Sequence, residues 1–251
     1  MAVLGMSENM FFLRLAGLVV KVTCHYNNCR ELCLDYITEE SKAHVEVEIA
    51  QEEIMARKEM TPEFSEGNVE SLCVHRSIAE QLPAYGRFVF HGASIKFQDK
   101  GYIFAAPSGT GKSTHIRAWR KYLGNQVDIV NGDKPILSVG DEGVFVHGTP
   151  WAGKEGWQKN QSVKLQGLCF LNRGAENRIR RMEPVECLEM LMKQVYIPQT
   201  AEMAGMTLEL LNKMLQEVPV YLLECDMSEE AVRCSFEAMT GLEYNLQLGM
   251  K

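Results

Sequence analysis

No apolar run in this 251-residue chain reaches the ~20 residues that a helix needs to cross a bilayer. The nearest approach, residues 10 to 20, carries Arg14 inside it and has no basic residue ahead of it. It predicts a β-strand with Lys21 after it rather than a signal core, and no membrane partner is expected. A basic excess is missing too. Lys and Arg total 26 against 33 Asp and Glu, a net charge of -7 with a pI near 5.5. A bulk nucleic-acid binder shows the opposite balance, so no nucleic-acid partner is expected either. Zinc spacing is absent: Cys24, His25, Cys29 and Cys33 cluster near the start but match no standard pattern. The chain is long enough not to need disulfide staples. Its eight cysteines predict reduced thiols in a cytoplasmic protein. No internal repeat, low-complexity tract or linker appears. A single domain over residues 1–251 is expected, with the strands of 10–68 as part of it.

What is present reads as α/β. Leu18–Val22 and Ala43–Ile49 predict strands, the second with one wet face. Residues 51–68 predict a short helix and a loop. Residues 69–82 carry helical spacing and stop at Pro83. Strands are expected at Arg87–Phe90 and Ala93–Phe97, then a turn at Asp99-Lys100-Gly101 and a strand over Tyr102–Ala106. Further strands are expected at Val127–Val130, Ile136–Val139, Val144–Val146 and Val163–Leu171. Helices follow near 184–196, 201–216 and 228–240, the last with Ser228 as N-cap.

Between the Tyr102–Ala106 strand and the next helix lies Pro107-Ser108-Gly109-Thr110-Gly111-Lys112-Ser113-Thr114. Ala106 takes the slot of the first glycine in the usual Gly-x-x-x-x-Gly-Lys-[Ser/Thr] pattern, and the remainder is intact. Gly109 and Gly111 let successive N–H groups aim at one anion, and the helix start adds partial positive charge. Lys112 can reach the β- and γ-phosphates, and the Ser113 hydroxyl can ligate Mg²⁺. Bound nucleotide is therefore expected on Ser108, Gly109, Thr110, Gly111, Lys112, Ser113 and Thr114. A carboxylate is needed beside such a loop. Asp133, at the C-terminal end of the Val127–Val130 strand, is the candidate for base and for metal ligand together with Ser113. The Gly148–Gly156 loop offers Trp151 for stacking and Lys154 for phosphate charge. His91, before Gly92 at a strand end, is a candidate for proton transfer. His115 is near the loop.

Four motifs in order, His91-Gly92, Ala106 to His115, Asn131-Gly132-Asp133-Lys134-Pro135 and Gly148 to Lys154, resemble the HPr kinase/phosphorylase family. That family's nucleotide site is similar to that of ATP-dependent phosphoenolpyruvate carboxykinases. The short bacterial HPr-kinase-like proteins show Asn-Asp-Asp-Lys-Pro and Gly-Thr-Pro-Trp-x-Gly-Lys at the last two places. The resemblance implies a single phosphate-loop domain with a mixed β-sheet, flanking helices and a hairpin-rich N-terminal third. It implies a kinase using ATP and Mg²⁺, with Lys112, Asp133 and His91 as catalytic residues and Asp133 as base toward an acceptor serine. The acceptor is expected to be a hydroxyl of a small protein, a peptide or a small molecule. The related full-length kinases assemble as hexamers, so a homo-oligomer is kept among the expected partners.

The chain departs from the pattern in places. Gly132 replaces the first Asp of the family pair. The family's late Arg has no secure match; Arg173, Arg178, Arg180 and Arg181 are the nearest. Its second Mg²⁺ ligand is matched at best by Glu155. Two alternatives therefore stand beside the kinase: a nucleotide-binding module or maturation partner without transfer, and a carboxykinase-like enzyme on a small acid.

Overall fold

The computed structural model describes residues 9–107 and 109–244. Two sheets organise them. In the first, β1 (Met10–Leu15) and β2 (Leu18–Thr23) pair antiparallel, and β3 (Val45–Glu48) adds parallel to β2. The single strand expected over 10–20 is thus a hairpin. The reversal falls at Ala16 and Gly17, whose φ values are 49° and 80°. α1 (Asn27–Leu32), α2 (Gln51–Met60) and α3 (Glu66–Gln81) pack with this sheet. The start of α3 is fixed by Ser65, whose hydroxyl accepts from the Asn68 N–H at 3.2 Å. Cys24, Cys29, Cys33 and Cys73 are all buried, unbridged thiols in this layer. Among the described residues no group of three or more His, Cys, Asp and Glu is placed to hold a metal.

The second sheet has nine strands. β4 (Arg87–Val89), β5 (Ala93–Phe97), β6 (Lys100–Ala105), β7 (Val127–Asn131), β8 (Ile136–Gly140), β9 (Gly143–His147) and β10 (Ser162–Arg173) run in the order β4-β8-β9-β10-β6-β5-β7. β11 (Arg178–Arg181) and β12 (Val220–Cys225) extend it beyond β10. The β5–β6 turn is tighter than expected. Phe97 faces Lys100, so the reversal sits at Gln98 and Asp99, with Gln98 at φ 55°. The twelve-residue β10 holds β6 along one side. Its other side pairs first with β9 and then with β12.

This topology places the site. β6, β10 and β12 are parallel, and β5 is antiparallel to both β6 and β7. The C-terminal ends of β6, β7, β10 and β12 and the start of β5 therefore open at one end of the sheet, where an α/β fold presents its ligands.

The helices are α4 (Lys112–Leu123), α5 (Pro184–Met192), α6 (Ala201–Glu217) and α7 (Glu229–Thr240). α4 buries Ile116, Trp119 and Leu123, three positions of one helical face. Trp119 packs with Phe97, Phe104 and Phe236, at ring-centroid distances of 5.5–6.5 Å. Each such fully buried side chain contributes ~1.5–3 kcal/mol. The Trp119 indole N–H donates to Ser235 Oγ at 2.9 Å and ties α4 to α7. α5 ends at Met192, short of the 196 expected, because Val195 bridges to Phe90 and Tyr196 N–H donates to Val89 O. Ser228 precedes α7 as expected, but its hydroxyl donates to Asp226 Oδ1 rather than capping the helix.

The two sheets share packing. Val89, Ile136 and Trp151 belong to the same apolar cluster as β1–β3 and α3. No helix among the described residues is long and apolar enough to cross a membrane.

Candidate active site

β6 delivers the chain into the glycine loop at Ala106 and Pro107. Gly109 and Gly111 sit at φ 77° and 119°, left-handed values that favour glycine. A Cβ at either would meet nothing within 4 Å, so backbone conformation rather than crowding calls for glycine there. No side chain caps α4, which leaves its first-turn N–H groups for an anion. Ser113 and Thr114 lie in that turn, and both line the cleft in front of it. Ser108 lies outside the described residues.

Lys112 folds back over the loop. Its ammonium donates to Ala106 O at 2.7 Å and lies 3.4 Å from His91 Nε2. Burial lowers its pKa; the Asp133 charge opposes that and the Lys134 charge adds to it. His91 comes from the link between β4 and β5. Its backbone N–H donates to Gln194 O at 2.6 Å, and the next N–H, of Gly92, donates to Asp133 O at 2.9 Å. A Cβ at Gly92 would lie 2.9 Å from the Phe90 ring and 3.1 Å from Phe104 O, which accounts for the His-Gly pair. His91 Nε2 is 3.2 Å from Asp133 Oδ1. One ring nitrogen cannot donate to the carboxylate and accept from the ammonium together; the shorter distance and the charged acceptor favour donation.

Asp133 is held by a buried device behind it. Asn131 ends β7 fully buried. Its Oδ1 accepts from the N–H groups of Asp133 (2.8 Å) and Lys134 (2.7 Å), and its Nδ2 donates to Thr149 O (2.9 Å) and Oγ1 (3.1 Å). Thr149 Oγ1 donates in turn to Lys134 O at 2.7 Å. The Lys134 ammonium reaches Asp133 Oδ2 at 2.6 Å. Burial alone raises the Asp133 pKa. Hydrogen bonds from His91 and Lys134, with the Lys134 charge, outweigh it and hold the carboxyl well below the usual carboxylate range.

Gly132 has a steric reason. A Cβ there would sit 2.9 Å from Ala152 O, and the Gly132 N–H donates to Trp157 O at 2.8 Å. The loop after β9 occupies the space that a side chain at 132 would need. That loop departs from expectation at Trp151, which is buried, donates from Nε1 to Ser71 O and Oγ at 3.2 Å, and packs 4.7 Å from the His75 ring. It cannot stack on a ligand and instead anchors the loop to α3. Past it, Gly153 (φ 74°) lies against Asp133. Lys154 and Glu155 form an exposed tip. Glu155 is paired with Arg117 at 2.5 Å, and the Arg117 guanidinium stands 4.9 Å over the Trp157 ring.

These groups line one cleft of about 580 Å³, which takes in His91, Lys112, Ser113, Asp133, Lys134 and Lys154. A second cavity of about 420 Å³ opens on the far side of the loop, toward the ends of β10 and β12, and shares Gly109, Gly111 and Thr114 with the first. His115 borders that cavity but is buried, with Nε2 3.0 Å from Ser235 Oγ. Arg173, the last residue of β10, donates from Nη2 to Gly109 O at 2.7 Å. Of the four candidate arginines, Arg173 meets the loop; Arg178, Arg180 and Arg181 lie on β11.

The structure thus brings Lys112, His91, Asp133, Ser113 and Lys154 to one cleft. Sequence reasoning missed Asn131 and Thr149. An Asn opening a Gly-Asp-Lys-Pro turn is the signal that could have found the first, since Asn side chains accept from N–H groups two residues on. Ser113 and Asp133 both line that cleft, and their hard oxygen donors would suit Mg²⁺ rather than a softer metal.

No protein-family model matches the chain, and no curated protein matches it. Among solved structures it is similar to the HPr(Ser) kinase/phosphatase from Coxiella burnetii, at 12% identity and a TM-score of 0.35, over 61% of this chain and 93% of that one. What the site can do has to be read from its own residues.

Proposed function

We propose that this chain is an ATP-dependent phosphotransferase that moves a γ-phosphoryl group to a hydroxyl, with a serine of a small protein or peptide as the first acceptor to test. One observation carries the proposal. Three segments distant in sequence bring Lys112, His91 and Asp133 together beside a glycine loop opening a helix, with His91 Nε2 3.4 Å from the Lys112 ammonium and 3.2 Å from the Asp133 carboxylate. A purely structural turn has no use for a lysine, a histidine and an ionised aspartate gathered there.

The loop N–H groups and the start of α4 would cradle the phosphates. Lys112 would leave Ala106 O for the β- and γ-oxygens, its charge growing in value as the leaving oxygen becomes negative. Ser113 and Asp133 would hold Mg²⁺, which supplies charge neutralisation on the transferring group. Asp133, with its strongly depressed pKa, is a weak base as it stands. It suits a loose transition state, in which the acceptor proton leaves late and orientation of the hydroxyl matters more than its removal. His91 would donate to Asp133 and keep one carboxylate oxygen aimed. Lys154, exposed at the rim, would meet phosphate or acceptor charge.

A nucleotide-binding module without transfer is the second reading, favoured by Gly132, which leaves one carboxylate where two are expected. Labelled ATP decides between them. With Mg²⁺ and a peptide or lysate pool, wild type is expected to label an acceptor. Asp133→Asn should bind ATP but transfer ~10²–10⁴-fold more slowly, and Lys112→Ala should lose binding. ATP binding with no label moved under any pool would establish the module instead.

A further inference from the structure

Arg173 lies at the seam between the two cavities. Gly109 lines both, and Arg173 lines the one toward β10 and β12 while donating to Gly109 O at 2.7 Å. Among the described residues no other element sends a side-chain hydrogen bond to the glycine loop. A guanidinium carries five N–H donors in a planar fork. Among the described residues only Nη2 has a hydrogen-bond partner, and the side chain is exposed. The strand end therefore presents unused donors at the point where the cleft of Lys112 passes into the second cavity.

The two cavities differ in character. The first gathers charge: Lys112, Lys134, Lys154 and Asp133. The second is walled largely by carbon, with Leu171, Ala118 and Met227 among its lining. Its one carboxylate, Asp226, is already engaged by the Ser228 N–H and hydroxyl and by Asn177 Nδ2. A ligand filling both would carry an anionic chain at one end and a weakly polar body at the other. A nucleoside polyphosphate has that form, and its innermost phosphate is the group that crosses the seam.

We infer that Arg173 is a specificity-determining residue that binds the innermost phosphate of a nucleoside polyphosphate, with the nucleoside half seated in the cavity between the ends of β10 and β12. This role rests on the nucleotide reading proposed for the site and adds to it a direction for the ligand. Arg173 then separates nucleotides from pyrophosphate, whose two phosphates can occupy the Lys112 side alone.

Calorimetric titration of the full chain with ATP, ADP and pyrophosphate tests this, using wild type, Arg173→Ala, Arg173→Lys and Lys112→Ala. Arg173→Ala is expected to weaken ATP and ADP about tenfold, the equivalent of about 1.4 kcal/mol, and to leave pyrophosphate, which has no third phosphate to reach the seam, within about twofold. Arg173→Lys keeps the charge and should lose less than the Ala variant; a Lys variant as poor as Ala overturns the contact. Equal loss for nucleotide and pyrophosphate would make Arg173 a clamp on the loop and overturn the inference. So would an Arg173→Ala protein that binds ATP normally while Lys112→Ala does not, and in that case the nucleotide reading survives. A wild type that binds no ATP removes both.

Discussion

Replacing Asn131 by Asp probes the device behind the site with almost no change of volume. Oδ1 can go on accepting from the Asp133 and Lys134 N–H groups, but the two donor bonds from Nδ2, to Thr149 O at 2.9 Å and Thr149 Oγ1 at 3.1 Å, disappear. Each such bond is worth ~1 kcal/mol net, and a buried oxygen left facing a carbonyl costs a further ~1–3 kcal/mol. Asn131 is fully buried, so water cannot repair the loss. The sum is about 3–5 kcal/mol at neutral pH, or roughly 6–20 °C in Tm for a chain of this size. Urea unfolding followed by circular dichroism at pH 7.5 measures it, with the slope checked for two-state behaviour. Once protonated, the introduced carboxyl would regain one donor toward Thr149 O, so the deficit relative to wild type should shrink at pH 5. A variant within ~1 kcal/mol of wild type at pH 7.5, or a deficit that grows on acidification, refutes the account of Asn131 as a buried donor–acceptor hub.

Other outcomes follow from the same geometry. Burial pushes the pKa values of His75, His115 and His147 down to about 3, 4 and 4, against about 6.5 in the unfolded chain. The unfolded state therefore takes up protons first as pH falls. Stability should drop from about pH 6.5 toward 4, by up to ~1.4 kcal/mol per pH unit for each histidine; a flat urea midpoint between pH 7.5 and 4.5 contradicts this. The depressed Asp133 works at still lower pH, because its contribution is lost only as pH falls through its folded value. Gly132→Asp should not raise phosphotransfer. Its Cβ would sit 2.9 Å from Ala152 O, and a loss of ~1–3 kcal/mol in urea unfolding is expected. Gly153→Ala meets φ 74° and the Asp133 Cβ at 2.9 Å; a loss of ~1–2 kcal/mol from the left-handed backbone alone should come with reduced labelling of any acceptor.

The glycine loop, Lys112 and Asp133 were legible because their chemistry is local: a strand end, a few residues and a helix start. Asn131–Thr149 was not, because the pair is 18 residues apart and both partners read alone as turn formers. Arg173 meets Gly109 across 64 residues, and nothing in a run of scattered arginines separates it from those of β11. β11 went unread because Arg-Ile-Arg-Arg carries one apolar residue and gains its strand character from pairing with β12. The hairpin of β1 and β2 hid inside an apolar stretch, since Ala16 and Gly17 look no different from core residues in a hydropathy profile. Trp151 was misjudged for a related reason: an aromatic in a glycine-rich loop fits stacking and anchoring equally, and only the Ser71 acceptor at 3.2 Å decides.

The arrangement of strand ends has a consequence for how such a chain can change through inheritance. His91 and Asp133 stand on the β5 and β7 side of the glycine loop, while Arg173 and the carbon-walled cavity belong to the β10 and β12 side. The segments just after β10 and β12, residues 174–177 and 226–228, bond to one another through Asn177 and Asp226 and leave His91 and Asp133 to other partners. Substitutions there can remodel what docks beside the loop while the groups around Lys112 stay in register. The sheet thus separates two traits into different stretches of sequence, one around residues 91–133 and the other at the ends of β10 and β12, that can drift at different rates.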